Sequence, residues 1–279
     1  MQSQTYSATL NGLRLHWRAW GSPNNPPVIC LHGAWGQSAY WHGLASAIGK
    51  DYFVLALDQR GHGASAWADT YSLDDFADDL AALCRHCSLQ RLRLIGLSLG
   101  GLVAITYAGR QPEPLMQLVV VDIGPELTAA AAASVEHPLT YPESFASVDA
   151  ACHWATTNGL WSDGPRLRVD LAQRLYLKES TGQWRWRADA RSWAMRGEWL
   201  NPSSLWPAYR AIACPSLVLR GGDSGLLDKP IIARMCEANS ATQAVTIAGA
   251  GHSVPNDQPR AFTERLLHFF HNFAQAGTG

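Results

Sequence analysis

Across 279 residues the sequence has no apolar run approaching the roughly 18 residues that a membrane-spanning helix requires. Nor does it carry an excess of either charge, since 22 Lys and Arg stand against 23 Asp and Glu, for a formal net charge of -1. These two lacks exclude a helical membrane protein and the basic footprint of a nucleic-acid binder. The opening stretch, MQSQTYSATLNG, lacks the basic start and apolar core of a secretory signal, so a cytoplasmic protein is expected. Cysteine is sparse. Cys30, Cys84, Cys87, Cys152, Cys214 and Cys236 are scattered, mostly among apolar neighbours, and read as reduced, packed thiols rather than a disulfide framework. Cys84 and Cys87 are spaced like a redox or metal pair, yet they lie inside a helical pattern with no second half-site, which reads as packing. No H-E-x-x-H or comparable ligand cluster occurs, so neither a metal nor an organic cofactor is expected. No internal repeat or low-complexity linker divides the chain.

What is present is apolar and alternating. Hydrophobic residues make up 47% of the chain, enough for one large α/β domain or one domain carrying an insertion. Two alternating runs, Tyr6 to Leu10 and Leu13 to Trp20, flank Asn11-Gly12, a pair suited to a two-residue hairpin turn. Short apolar runs then end at His32, Asp58, Ser98 and Asp122, with helical patterns between them near Ser38 to Ile48, Ser72 to Cys87 and Leu99 to Arg110. Repeated strand-helix units predict a mostly parallel, doubly wound sheet with an N-terminal antiparallel hairpin. From Thr128 to about Trp206 the pattern becomes helical and rich in tryptophan, which predicts a helical cap inserted after the sixth strand. The expected domains are a core of residues 1–127 and 207–279 and a cap of 128–206. Strand signals return at Pro215 to Arg220 and Gln243 to Ile247, and an amphipathic helix runs from about Pro259.

The most informative segment is Gly96-Leu97-Ser98-Leu99-Gly100-Gly101, where an apolar strand meets G-x-S-x-G and then a helix. A sharp strand-to-helix turn holds a serine hydroxyl above the strand ends, and the flanking glycines leave room for neighbouring backbone. Ser98 is therefore the candidate nucleophile. A serine needs a base within hydrogen-bond reach. His252, in Gly249-Ala-Gly251-His252-Ser253 after the last predicted strand, is the candidate that the topology would bring to the same sheet edge. For the carboxylate that orients it, the chain order Ser, Asp, His allows two candidates, Asp122 and Asp223, each following a predicted strand.

Four segments in order, His32-Gly33-Ala34-Trp35, Asp58-Gln-Arg60-Gly61-His-Gly63, Gly96-Leu-Ser98-Leu-Gly100-Gly101 and Gly251-His252, resemble the landmarks of the α/β-hydrolase superfamily. The resemblance covers essentially the whole chain outside the expected cap. It implies an oxyanion hole made by the backbone N–H groups of Ala34 and Leu99, with Trp35 at the entrance or floor of a substrate pocket. It also bears on the acid. Most of the superfamily takes it from the later strand with a G-x-x-D spacing, which from Gly221 falls on Ser224 rather than Asp223. A branch represented by (E)-2-(acetamidomethylene)succinate hydrolase, which this chain resembles, takes the acid after the earlier strand and carries a similar R-G-x-x-S in the later loop. That favours Asp122, with Asp223 as the alternative.

The expected cap holds Trp154, Trp161, Trp184, Trp186, Trp193, Trp199 and Trp206, which either wall an apolar cleft over Ser98 or pack the cap's own core. Its arginines, Arg166, Arg168, Arg174, Arg185, Arg187, Arg191 and Arg196, include candidates for a clamp on a substrate carboxylate. Trp184 to Arg187 alternate as an extended segment does. The expected activity is a serine hydrolase, carboxylesterase-like, acting on a small ester, lactone, amide or related acyl substrate. The same residues also allow a C–C bond or amide hydrolase of a ring-cleavage product, a cofactor-free dioxygenase, or a small-molecule receptor of the same fold. The partner implied is a small-molecule substrate, not nucleic acid or membrane, and the oligomeric state is left open.

Overall fold

The computed structural model describes residues 1–110, 115–136, 141–158 and 167–272. The chain opens with a hairpin of β1 (Gln4–Leu10) and β2 (Leu13–Trp20), turned by Asn11 and Gly12 at φ of 49° and 76°. Positive φ at both turn residues matches the twist of the flanking strands, and Asn-Gly adopts it readily. There follow β3 (Pro27–Leu31), α1 (His42–Ile48), β4 (Phe53–Asp58), α2 (Leu73–His86), β5 (Leu92–Leu97), α3 (Leu99–Gly109) and β6 (Leu115–Val121). Ser72 starts α2 through a reciprocal pair of bonds, its hydroxyl accepting the Asp75 N–H while the Asp75 carboxylate accepts the Ser72 N–H.

The segment after β6 holds α4 (Ala129–Glu136), β7 (Ser144–Phe145), α5 (Val148–Thr157), α6 (Leu167–Arg174), β8 (Leu175–Lys178), β9 (Gln183–Trp186), α7 (Ala190–Ala194), α8 (Arg196–Trp199) and α9 (Pro202–Arg210). It is the expected helical insertion, with one addition: β7, β9 and β8 form a small antiparallel sheet in that order. The boundary expected at 206/207 falls inside α9, which packs on α3 so closely that Gly109 abuts the Ala208 backbone. The chain then completes the core with β10 (Ser216–Gly221), α10 (Lys229–Ala238), β11 (Thr242–Ile247), α11 (Val254–Asp257) and α12 (Pro259–Asn272).

Eight strands lie in the order β1-β2-β4-β3-β5-β6-β10-β11, with β2 antiparallel to both β1 and β4 and the remaining pairs parallel. The inner strands are apolar on both faces because helices cover both. Ile29, Leu31, Leu55, Leu57, Leu94 and Val120 pack with residues of α2 and α3, whereas Val28, Cys30, Val54, Ala56, Ile95 and Val121 pack with residues of α1 and α12. Cys84 is one of these packing thiols, accepting a hydrogen bond from the Tyr107 hydroxyl at 3.6 Å. Among the described residues no helix is long and apolar enough to cross a membrane.

The strand order reverses at β3. The chain passes from β3 to β4 on one side and then to β5 on the other, so the loops leaving the carboxyl ends of β3 and β5 part to opposite faces. A crevice opens between them, the place where open α/β sheets hold ligands. Ser98 follows β5 there, and Ala34 follows β3. The approach of α3 to this edge depends on two bare positions, since a Cβ on Gly96 would overlap the Gly100 carbonyl and one on Gly100 would overlap the Leu31 carbonyl. Both obstacles are backbone and cannot swing aside. Gly100→Ala is accordingly expected to destabilise the protein by about 3 kcal/mol, read as a lowered urea midpoint; an unchanged midpoint would show that α3 can shift away without cost.

Candidate active site

Ser98 stands between β5 and α3 with φ 53° and ψ -121°, outside the regions an L-residue normally occupies. Its carbonyl accepts the Gly101 and Leu102 N–H groups at 2.8 and 3.0 Å, so the strained residue is locked by the first turn of the helix it opens. The side chain is left at the helix's positive end. Gly33, from the loop after β3, lies against it: a Cβ there would sit 3.1 Å from the Ser98 Cβ and 3.7 Å from Oγ.

The loop after β3 aims its peptide groups by hydrogen bonds at the carbonyls. The Gly33 carbonyl accepts from Gly36 N–H at 2.9 Å and from His32 Nδ1 at 2.8 Å. In a trans peptide the N–H points opposite the C=O, so these two bonds also direct the Ala34 N–H. Among the described residues, neither Ala34 N–H nor Leu99 N–H donates to a protein acceptor. His32 holds the loop from the other side as well, since Nε2 accepts the Gln59 N–H at 3.1 Å and its carbonyl accepts Gln59 Nε2 at 2.7 Å. That pattern needs the neutral ring with its proton on Nδ1.

His252 lies on the loop after β11, with Nδ1 2.9 Å from Asp122 Oδ2. Asp122 follows β6 at φ 49° and has no solvent exposure, while 42% of the His252 side-chain surface remains open. The Asp122 carboxylate accepts two further bonds, from Gly221 N–H to Oδ1 at 2.9 Å and from the Ser224 hydroxyl to Oδ2 at 2.5 Å. Of the two acid candidates, therefore, Asp122 meets His252 and Asp223 is exposed two residues past β10. The loop after β10 contributes donors instead, and Ser224 stands where the superfamily spacing would put an acid.

The Asp58 loop braces this edge. Asp58 is buried and accepts from His16 Nδ1 at 2.7 Å, Ser38 N–H at 2.5 Å and Ala64 N–H at 2.9 Å. Burial works to raise its pKa, but the His16, Ala64 and Ser38 bonds prevail and bring it down to about 2. Arg60 forks onto Asp79 of α2 through Nε and Nη2 at 2.7 and 2.9 Å. The Gly61 carbonyl accepts the Asp189 N–H from the inserted segment at 2.7 Å, and Tyr71 donates to the Asp189 carboxylate at 2.7 Å.

Ser98 and His252 line one cavity of about 210 Å³ together with Ala34 and Leu99. Its other walls are Leu102, Ile123, Leu127, Trp193, Arg196, Trp199, Leu200 and Leu226. Trp35, expected against the substrate, is not in this wall. At φ 62° it turns its ring into the inserted segment, stacked on Tyr141 at 4.3 Å and packed beside Trp186 at 5.1 Å. Trp193 and Trp199 take its place. The other tryptophans divide: Trp154, Trp184 and Trp186 pack the insertion's own core, Trp206 donates to Glu126, and Trp161 lies outside the described residues. Of the inserted segment's described arginines, Arg196 alone reaches the cavity; Arg166 lies outside the described residues. Among the described residues no three His, Cys, Asp or Glu side chains converge as metal ligands do.

The family model described as alpha/beta hydrolase fold matches residues 26–259. An esterase of Mycobacterium tuberculosis is 33% identical over 258 residues, covering 88% of this chain and 82% of that protein. The 3-hydroxybutyrate-oligomer hydrolase of Cupriavidus necator is 27% identical over 261 residues, covering 86% and 87%. The crystal structure of E-2-(acetamidomethylene)succinate hydrolase superposes with a TM-score of 0.85 at 25% identity, covering 97% of this chain and all of that one.

The buried histidines give this edge a pH dependence. Burial and the neighbouring His62 push the His32 pKa down to about 3, and burial lowers that of His62. Above pH 6.5, the ordinary histidine value, neither the folded nor the unfolded chain protonates these rings and their contribution to stability is complete. Below that value the unfolded chain takes up a proton that folded His32 refuses until near pH 3, so stability falls through this window by about 1 kcal/mol per pH unit for this ring, and the lowered pKa of His62 acts in the same direction. Urea unfolding of the wild type at pH 7, 6 and 5 is expected to reveal that loss, and His32→Gln to be less stable at pH 7 but flatter with pH. A wild-type profile flat from pH 7 to 5 would contradict the neutral, Nδ1-protonated His32.

Proposed function

The chain belongs to the α/β-hydrolase fold family, and on that footing we propose that it is a serine hydrolase of small carboxylic esters, with Ser98 as nucleophile, His252 as general base and Asp122 as the acid. The observation that carries this reading is the convergence of Ser98, His252, Ala34 and Leu99 on one cavity, with Asp122 buried behind His252. His252 Nε2 takes the Ser98 proton as Oγ attacks the ester carbon, and the carbonyl π pair moves onto oxygen. Leu99 and Ala34 N–H groups hold that oxyanion, in a pocket whose apolar walls strengthen each bond. Collapse expels the alkoxide, which leaves with the proton from His252. A water that gives its proton to His252 then attacks the acyl-Ser98 carbon and releases the carboxylic acid, returning the proton to Ser98.

Asp122 accepts the Nδ1 proton bond throughout, keeping the ring oriented and stabilising its positive form. The cavity supports an acyl group of a few carbons, because Leu102, Ile123, Leu127 and Leu226 offer it apolar contacts and 210 Å³ leaves little room for a long chain. A cytoplasmic location is part of the same proposal, consistent with six free thiols.

A fluorophosphonate probe and p-nitrophenyl esters from acetate to octanoate test the assignment. Labelling and turnover are expected in the wild type, with short chains preferred, and neither in Ser98→Ala. Asp122→Asn is expected to lower kcat by about 10⁴ with the fold intact, and Asp223→Asn to keep most of it. Equal, mild losses from the two Asn variants would remove Asp122 from its role, and a folded wild type that takes no label would turn the reading toward a receptor or oxygenase.

A further inference from the structure

The loop that offers the Ala34 N–H is held from two sides, and one side is the inserted segment. Arg174, the last residue of α6, extends Nη1 to the Ala34 carbonyl at 3.3 Å. Its neighbour Gln173 accepts a hydrogen bond at its carbonyl from Gln37 Nε2, and Trp35 between these contacts is buried in the insertion's aromatic cluster. Ala34 and Trp35 thus lie between the sheet and the insertion, with Trp35 at positive φ. On the core side, His32 and Gly36 fix the Gly33 carbonyl and so the peptide that bears the Ala34 N–H. On the other side Arg174 fixes the next carbonyl along. Two successive peptide groups held at their oxygens leave the intervening Ala34 little freedom to rotate.

We propose that Arg174 is a positioning residue for the hydrolysis described above: by holding the Ala34 carbonyl from the inserted segment it stops rotation about Ala34 and so maintains the Ala34 N–H direction that the Gly33 peptide defines, which makes the oxyanion site fully ordered only while that segment is docked. The inference rests on the serine-hydrolase reading. Arg174 does not line the cavity, so it acts through the loop and not on the substrate. Burial lowers its pKa, as it does for a guanidinium enclosed between α6 and the loop, with Asp170, Tyr40 and Tyr141 acting in the other direction. A cationic donor in that setting makes a stronger bond to a carbonyl than a neutral one.

Misplacing an oxyanion donor affects the transition state and not the bound ester, which separates this role from a contact with substrate. In Arg174→Met, kcat for p-nitrophenyl butyrate is expected to fall by about 10-fold to 100-fold, with KM changed less than about threefold. Inhibition by phenylboronic acid, whose Ser98 adduct places an oxygen in the same site, is expected to weaken in proportion to kcat. Arg174→Lys, which keeps a cationic donor, is expected to recover part of both, and circular dichroism melts of each variant to stay close to the wild type. Four results would overturn the proposal: unchanged kcat in Arg174→Met, a raised KM at constant kcat, undiminished boronate affinity, or a loss explained by unfolding that Arg174→Lys does not repair. Wild-type protein that neither turns over the ester nor labels at Ser98 would remove the hydrolase reading and this role together. A Ser98-dependent wild type with an unaffected Arg174→Met would remove the role alone.

Discussion

The closeness of α3 to the ends of β5 and β3 is the constraint on which the rest of this edge depends. Helix and strand touch through backbone at Gly96 and Gly100, and no side chain intervenes. Because the gap is closed there, Ser98 is forced into a conformation that a longer turn would relax, and its hydroxyl stands at the start of a helix rather than against the sheet. The same closeness brings Gly33 alongside it. The strain at Ser98 persists because the helix turn, the neighbouring strand and the β3 loop each over-determine the residue.

A second theme is the burial of carboxylates at this edge. Asp58, Asp79 and Asp122 are all shielded from water, and each is surrounded by donors: His16 and two backbone N–H groups, the Arg60 fork, and Gly221, Ser224 and His252. Removing a carboxylate from water is costly unless its oxygens are met in this way. The result is that the loops after β3 and β4 are tied by charge-assisted bonds at Asp58, and those after β6, β10 and β11 by charge-assisted bonds at Asp122, not only by apolar contact. Such a frame holds side chains within the narrow tolerances that catalysis requires.

Much of this was legible in the sequence. Strands ending at His32, Asp58, Ser98 and Asp122 are short apolar runs, and only a sheet covered on both faces accommodates them. The Ser98 turn was readable because it needs glycines at fixed offsets, and Ser72 marked the start of α2 by its side chain's own chemistry. Chain order alone does not choose between Asp122 and Asp223, because both loops end near the same point in space; only the family resemblance, through the R-G-x-x-S of the later loop, favours Asp122. The direction of Trp35 is illegible for a different reason: it follows from a positive φ in a loop, which leaves no periodic trace. The small sheet of β7, β9 and β8 escaped because its strands are at most four residues long, too short for alternation to accumulate, although Trp184 to Arg187 carried a fragment of it. The bonds that Ser224 makes to Asp122 and Arg174 to Ala34 join residues far apart in the chain, and no local pattern announces them.

The meeting of Asp122 and Ser224 limits which residues the two loops can carry. One oxygen of Asp122 accepts both the Ser224 hydroxyl and the His252 ring, so the two loops present a carboxylate and a hydroxyl to a single point. A chain with acids on both loops would face like-charge repulsion in a buried site, and one with neither would leave the imidazole without an orienting partner. The arrangement therefore behaves as a two-position register in which one place is acidic while the other is a donor. The charge can change loops only if both residues are exchanged together, and the imidazole, the serine and the sheet between them then keep their places.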